Sequence, residues 1–159
     1  MDDPPVRHYM EKRIPPKPED PKPPTDKELG LFRDLLSKSD PGAAERVAWI
    51  LGDWPGPGNL AVLRRASDHK SAAVRAQAAT SVGKLRNVLR PAERALAIQT
   101  LVTRLDDDST RVRVSAIRAL GALQGKDAVS SVLPFLNSQQ DLLVLATLRA
   151  LGHMGDPDQ

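Results

Sequence analysis

The sequence has no cysteine, so disulfides, thiolate metal sites and cysteine nucleophiles are excluded, and a reducing compartment is compatible with the chain. Aromatic side chains make up only 3% of it. That scarcity, beside abundant Ala, Leu, Val and Arg, suits small side chains at close helix contacts better than a sheet sandwich. No basic, apolar leader opens the chain either. Met1-Asp2-Asp3-Pro4-Pro5 is acidic and broken by proline, so export by the usual route is not expected and a cytoplasmic location is. The longest strongly apolar stretch, Leu142 to Leu151, is interrupted by Arg149 and is too short to cross a bilayer as a helix. Charge is nearly balanced, with 23 Lys and Arg against 20 Asp and Glu, so the total names no anionic partner.

What is present falls into two parts. Residues 1–24 hold eight prolines, each fixing φ and lacking a backbone donor, which excludes helix and sheet and predicts an extended proline-rich arm. Pro15 to Pro24 carries three overlapping PxxP spacings, a pattern that serves either as a spacer or as a ligand for an aromatic-lined groove. The arm is expected to be irregular and to touch the folded part little. Order is expected from Thr25, because Thr25-Asp26-Lys27-Glu28 is a capping box in which Thr and Glu satisfy each other's free helix amides.

Residues 25–159 repeat. Gly52, Gly83, Gly121 and Gly152 align at intervals of 31, 38 and 31 residues, the period of a helix-pair array. Leu29, Leu60, Ile98 and Val129 precede them at one fixed offset, and Phe32, Leu63, Leu101 and Val132 at another, marking a first helix. Leu51, Val82, Leu120 and Leu151, with Trp54, Leu85, Leu123 and Met154, mark a second. Val74, Ala78, Ala79 and Val82 have the three-four spacing of a buried stripe. The longer middle interval is absorbed around Arg86 to Glu93, where Pro91 suits the first turn of a new helix. The expectation is an all-α solenoid of about four helix pairs, near 25–58, 59–90, 91–126 and 127–159, each burying its stripe on its neighbours.

The segments Asp106-Asp107-Asp108-Ser109-Thr110-Arg111-Val112-Arg113-Val114-Ser115-Ala116-Ile117-Arg118-Ala119-Leu120-Gly121 and Ser71-Ala72-Ala73-Val74-Arg75-Ala76-Gln77-Ala78-Ala79 resemble HEAT repeats, specifically the phycobilisome-lyase-like branch. The Asp-x5-Arg element of that family appears as Asp107 to Arg113 and, loosened by one residue, as Asp68 to Arg75. The resemblance implies that these residues tie successive helix turns together. Ala44 and Val144 replace the Arg in the first and fourth repeats, so the ladder is not expected at either end. Members of the family include bilin-lyase subunits, hydroxylases, DNA glycosylases and plain scaffolds, so function has to come from sites.

Catalytic constellations are hard to find. The deoxyhypusine hydroxylase branch binds iron through paired His-Glu dipeptides, whereas here His69 is followed by Lys70 and His153 by Met154. His8, His69 and His153 fit no zinc or iron spacing and read as surface or loop residues. Asp106-Asp107-Asp108 reads as an inter-helix turn and N-cap rather than a Mg²⁺ site. Gly52 to Gly58 is a turn-rich loop, since its prolines remove the donors a phosphate cradle needs. No Gly-x-Ser-x-Gly, phosphate loop or dinucleotide turn occurs. No catalytic residue, cofactor or metal is expected.

Two features remain for binding. Residues 60–118 carry twelve Lys and Arg against five acids, between acidic ends; such a middle could meet nucleic-acid phosphates, but no aromatics interleave it, and ordinary solvated charge or a protein contact reads better. Along the second helices runs a stripe of Arg46 and Trp49, then Gln77, Thr80 and Lys84, then Arg111 and Arg118, then Arg149, with Trp49 either a contact anchor or an inter-repeat core residue. The last helix turns apolar at Leu142, Val144 and Leu145, where the preceding repeat has Arg111, Arg113 and Val114, which suggests contact with a further repeat, a second copy in a homodimer, or another subunit. The expected function is a protein-binding adaptor, an accessory subunit of a larger assembly. The rivals are a nucleic-acid binder like the HEAT-like glycosylases and a bilin-lyase-like chaperone subunit.

Overall fold

The computed structural model describes residues 22–38, 40–56 and 58–155, and among them every regular element is helical. Eight α-helices follow one another: α1 (Asp26–Lys38), α2 (Pro41–Asp53), α3 (Asn59–Ser67), α4 (Ala72–Lys84), α5 (Pro91–Thr103), α6 (Thr110–Ala122), the short α7 (Val129–Val132) and α8 (Asp141–Gly155). They form four consecutive pairs, an α-solenoid.

Local chemistry sets the boundaries. The Thr25 N–H donates to Glu28 Oε2 at 2.7 Å and the Glu28 N–H to Thr25 Oγ1 at 3.3 Å, closing the expected capping box. Asp40 Oδ1 accepts from the Gly42 and Ala43 amides, with Pro41 in the first turn of α2. Pro91 likewise opens α5, where the Arg90 N–H donates to Glu93. The extra residues of the middle interval form a 3₁₀ turn, Leu85–Asn87, and the loop after it.

The second helices α2, α4, α6 and α8 stack side by side, and the aligned glycines are the reason. A Cβ on Gly52 would lie 2.5 Å from Ser81 Oγ, and one on Gly121 would lie 2.7 Å from the Ala150 Cα, closer than real Cβ atoms pack, so only glycine permits these approaches. Beneath them lies one continuous core. Phe32, Leu51, Leu63, Leu85, Leu101, Ile117, Leu120, Leu123 and Met154 are its largest fully buried members. Val74, Ala78, Ala79 and Val82 are buried as their spacing implies, whereas Ile98, Val129 and Leu151 pack only partly buried against the core.

Two local expectations change. Gly52 and Asp53 belong to the last turn of α2 rather than to the loop, and the loop is pinned by Asn59, fully buried, whose Nδ2 donates to the carbonyls of Leu51 at 2.8 Å and Trp54 at 2.7 Å. The end of the arm does touch the solenoid, since Pro23 and Pro24 lie so close to Gly56 that a Cβ there would meet both. The rest of the arm, residues 1–21, lies outside the described residues.

Candidate functional site

The Asp-x5-Arg residues prove structural. Arg75 Nε and Nη2 hold Asp107 Oδ2 and Oδ1 at 2.7 and 2.8 Å, and Arg75 Nη1 donates to the carbonyls of His69 and Lys70. Arg113 repeats the second motif on the carbonyls of Asp107 and Asp108 and on Thr110. Arg104 joins the ladder through Asp68 and the Ser67 carbonyl. The Arg75 hydrogen bonds hold the Asp107 carboxyl below its ordinary range, with help from the Ser109 N–H, although burial pushes the other way. Asp107 is therefore a tie-bar rather than a metal ligand. Among the described residues no three His, Asp or Glu side chains cluster closely enough to hold a metal ion. His69 accepts from the Ser71 N–H in the turn before α4, and burial together with Lys70 and Arg75 lowers its basicity. Among the described residues no histidine is followed by glutamate, as the resemblance to the hydroxylase branch would require.

The basic middle is not a single patch. Of its twelve cations, Arg75, Lys84, Arg90, Arg104 and Arg111 pair with carboxylates, and Arg94 and Arg113 hydrogen-bond to backbone carbonyls. Arg64 and Arg65 lie apart from the second-helix face, lining a cleft of about 450 Å³ with Gln99, Thr100 and Thr103. A contiguous phosphate track is therefore absent from the described residues of this segment.

The second-helix stripe splits in the same way. Arg46 is exposed, and Trp49, at 43% exposure, faces solvent rather than the inter-repeat core. Gln77 is half-buried and donates to Ser81, Thr80 donates to the Ala76 carbonyl of its own helix, and Arg111 reaches across to Glu45 at 3.2 Å. The last three are engaged internally. Lys84, Arg118 and Arg149 are instead brought together, with Arg86, Asn87, Gln124 and His153, around an open cleft of about 430 Å³ at the C-terminal ends of α4, α6 and α8. Lys84 is tied to Asp53 at 2.5 Å. Arg118, Arg149 and His153 make no such bond. Gln124 has φ +51°, a left-handed conformation unusual outside glycine.

Sequence reasoning placed Arg86 only in the basic middle and missed Asn87, Gln124 and His153, because all four come from turns or a last helical turn whose course the repeat pattern does not specify. The C-terminal expectation is also revised. Leu142 and Leu145 are exposed, but Val144 is half-buried, and Leu148, unnoticed in the sequence, is 55% exposed.

A family model for HEAT repeats matches residues 30–108 and 98–159. The chain belongs to the HEAT repeat family. Human deoxyhypusine hydroxylase, solved with glycerol, is 25% identical with a TM-score of 0.63 over 84% of this chain and 48% of the hydroxylase. An engineered protein is 16% identical, with a TM-score of 0.60 over 80% of this HEAT protein and 62% of its own length. The CpcE–CpcF complex of phycocyanin lyase from Nostoc sp. PCC7120 is 18% identical, with a TM-score of 0.53 over 89% and 70% respectively. The last two show the fold alone. The chain spans about half the length of the hydroxylase it matches. No curated protein matches it significantly, and among the described residues no helix is long and apolar enough to cross a membrane.

Proposed function

We propose that this HEAT protein is a non-enzymatic adaptor of the cytoplasm that receives an acidic segment of a partner protein, as one subunit of a larger assembly. The observation that carries this reading is the cleft of Lys84, Arg86, Arg118, Arg149 and His153, in which Arg118, Arg149 and His153 have no partner within the described chain. Free guanidinium groups presented side by side from α6 and α8 suit carboxylates, which accept two parallel hydrogen bonds each. Trp49 occupies on α2 the repeat position that Arg118 and Arg149 occupy on α6 and α8, and offers an apolar anchor further along the same face. The cleft is too short for a nucleic-acid track, and seven of the twelve central cations are already engaged.

The test is fluorescence anisotropy with a labelled peptide of alternating Glu and Gly, beside a single-stranded oligonucleotide of matched charge. Peptide binding should weaken with salt, and Arg118→Glu with Arg149→Glu should reduce it about tenfold or more, since lost charge-assisted bonds cost about 1.5–3 kcal/mol each. Tighter binding of the oligonucleotide, lost in the same variant, would establish the nucleic-acid reading instead. No binding of either at low salt removes the cleft from the function.

A further inference from the structure

Three of the four aligned glycines do the same work. Gly52 meets Ser81, Gly83 meets Ala119 and Gly121 meets Ala150. In each case the small residue stands two positions before the next glycine, so successive second helices run parallel at one constant offset. Gly152 meets nothing within 4 Å.

The residues around each glycine follow suit. Four positions before it, Ala48, Ala79 and Ile117 are wholly buried; seven before it Ala76 and Val114 are buried on α4 and α6, while α2 has the half-buried Glu45, which pairs with Arg111 of α6. The corresponding residues of α8 are Leu148 and Leu145, which are 55% and 43% exposed. The strip Leu145–Leu148–Gly152 is therefore the surface by which α4 and α6, and α2 at its last two positions, receive their neighbour, continued on α8 and left open.

We infer that this strip docks a further HEAT-type helix pair from outside these 159 residues, whose second helix runs parallel to α8 and presents alanine or serine to Gly152. This stands independently of the cleft. Neither residues 1–159 nor a second copy of them supplies the occupant. In a second copy stacked head to tail, the register position filled by Ser81, Ala119 and Ala150 is Ile50 on α2, which is too large to meet a glycine backbone and is already 95% buried. A two-fold dimer would set α8 antiparallel to itself and break the constant offset. Residues 1–24 hold too many prolines to form a helix pair. No acidic residue is called for on the partner opposite the start of α8, because Val144 stands where Arg75 and Arg113 make the ladder.

The experiment uses the full chain in two forms, with this protein's own fourth pair as the probe. In the first, a duplicate of residues 126–155 is appended after Gln159, which offers a copy of Ala150 to Gly152. Its melting temperature should exceed that of the unextended chain by about 5 °C or more. The gain should vanish with Ala150→Leu in the duplicate alone, or with Leu148→Arg in the host, whose exposed site tolerates the change. No gain, or a gain that survives both substitutions, overturns the docking geometry. In the second form the unextended chain is weighed by light scattering at rising concentration. It should stay monomeric, and a dimer dissolved by Leu148→Arg would show that a second copy covers the strip and overturn the assignment to a further HEAT-type pair.

Discussion

Arg75, at the start of α4, grips Asp107, in the turn before α6, through two parallel hydrogen bonds of 2.7 and 2.8 Å, while its remaining nitrogen holds the carbonyls of the turn behind it. One side chain thus locks its own repeat and the next. With the pair largely buried, Arg75→Ala leaves the Asp107 carboxylate with only the Ser109 N–H as donor and strips the Arg75 bonds from two carbonyls, and should cost about 3 kcal/mol in chemical denaturation. Arg75→Lys should recover only part, because an ammonium cannot make the bidentate contact.

The same pair predicts an acid limb. The Asp107 carboxyl titrates below its unfolded value, chiefly because of the Arg75 hydrogen bonds. A depressed folded value means that the stabilisation is present above the unfolded carboxylate range, near pH 4, and is lost as pH falls through the folded value. Thermal melts from pH 7 downward should therefore fall less steeply below pH 4 for Asp107→Asn than for the parent, from a lower starting stability.

The glycines predict opposite signs at equivalent positions. Gly121→Ala would set a methyl group 2.7 Å from the Ala150 backbone, and forcing α6 and α8 apart should cost about 1–3 kcal/mol. Gly152→Ala, in a helix with nothing within 4 Å, should instead stabilise by about 0.5–1 kcal/mol, the ordinary gain in helix propensity. Urea titration of the two variants measures both.

The repeat was legible because its signals are periodic. Glycine, the small residue that meets it and the apolar positions of both helices recur at fixed offsets, and Thr25, Pro91 and the Asp-x5-Arg residues have local roles that the structure repeats. The cleft was legible only as far as Lys84, Arg118 and Arg149, which lie on helices. Which arginines are free could not be read, because Arg111 and Arg104 find partners 66 and 37 residues away. Periodicity reports which face a residue occupies, not what stands opposite it. The exposed strip on α8 was placed only in part for a related reason: comparison of polarity alone pointed to Leu142, Val144 and Leu145, of which Leu145 lies on the strip, whereas burial of Ile117 and exposure of Leu148 identify the face the next helix would cover.

Asn59 shows how a single residue can hold a loop that composition would leave loose. Its amide ties the Leu51 carbonyl at the end of α2 to the Trp54 carbonyl, from a fully buried position. Asn59→Ala should lower stability by about 2 kcal/mol, since two buried acceptors lose their donor. Asn59→Asp should cost more, because it places a carboxylate against the same two oxygens, and its deficit should shrink at low pH as that carboxyl takes up a proton. Melting curves at pH 7 and pH 4 separate the two variants.

Gln124 closes α6 in a pattern usually completed by glycine. The Gly125 N–H bonds back to the Leu120 carbonyl and the Gln124 N–H to that of Gly121, a helix end in which the residue at position 124 must turn left-handed, as its φ of +51° records. A side chain there costs about 1–2 kcal/mol relative to glycine, part of which glycine forfeits through its freer unfolded state. Gln124→Gly should therefore raise the melting temperature by about 2–5 °C. The glutamine also lines the cleft of Arg118 and Arg149, so the same substitution should weaken the acidic peptide. A gain in stability coupled to a loss of affinity is what a strained binding residue produces. If stability falls instead, the contacts of Gln124 within the fold outweigh its backbone strain, and its place in the cleft is structural.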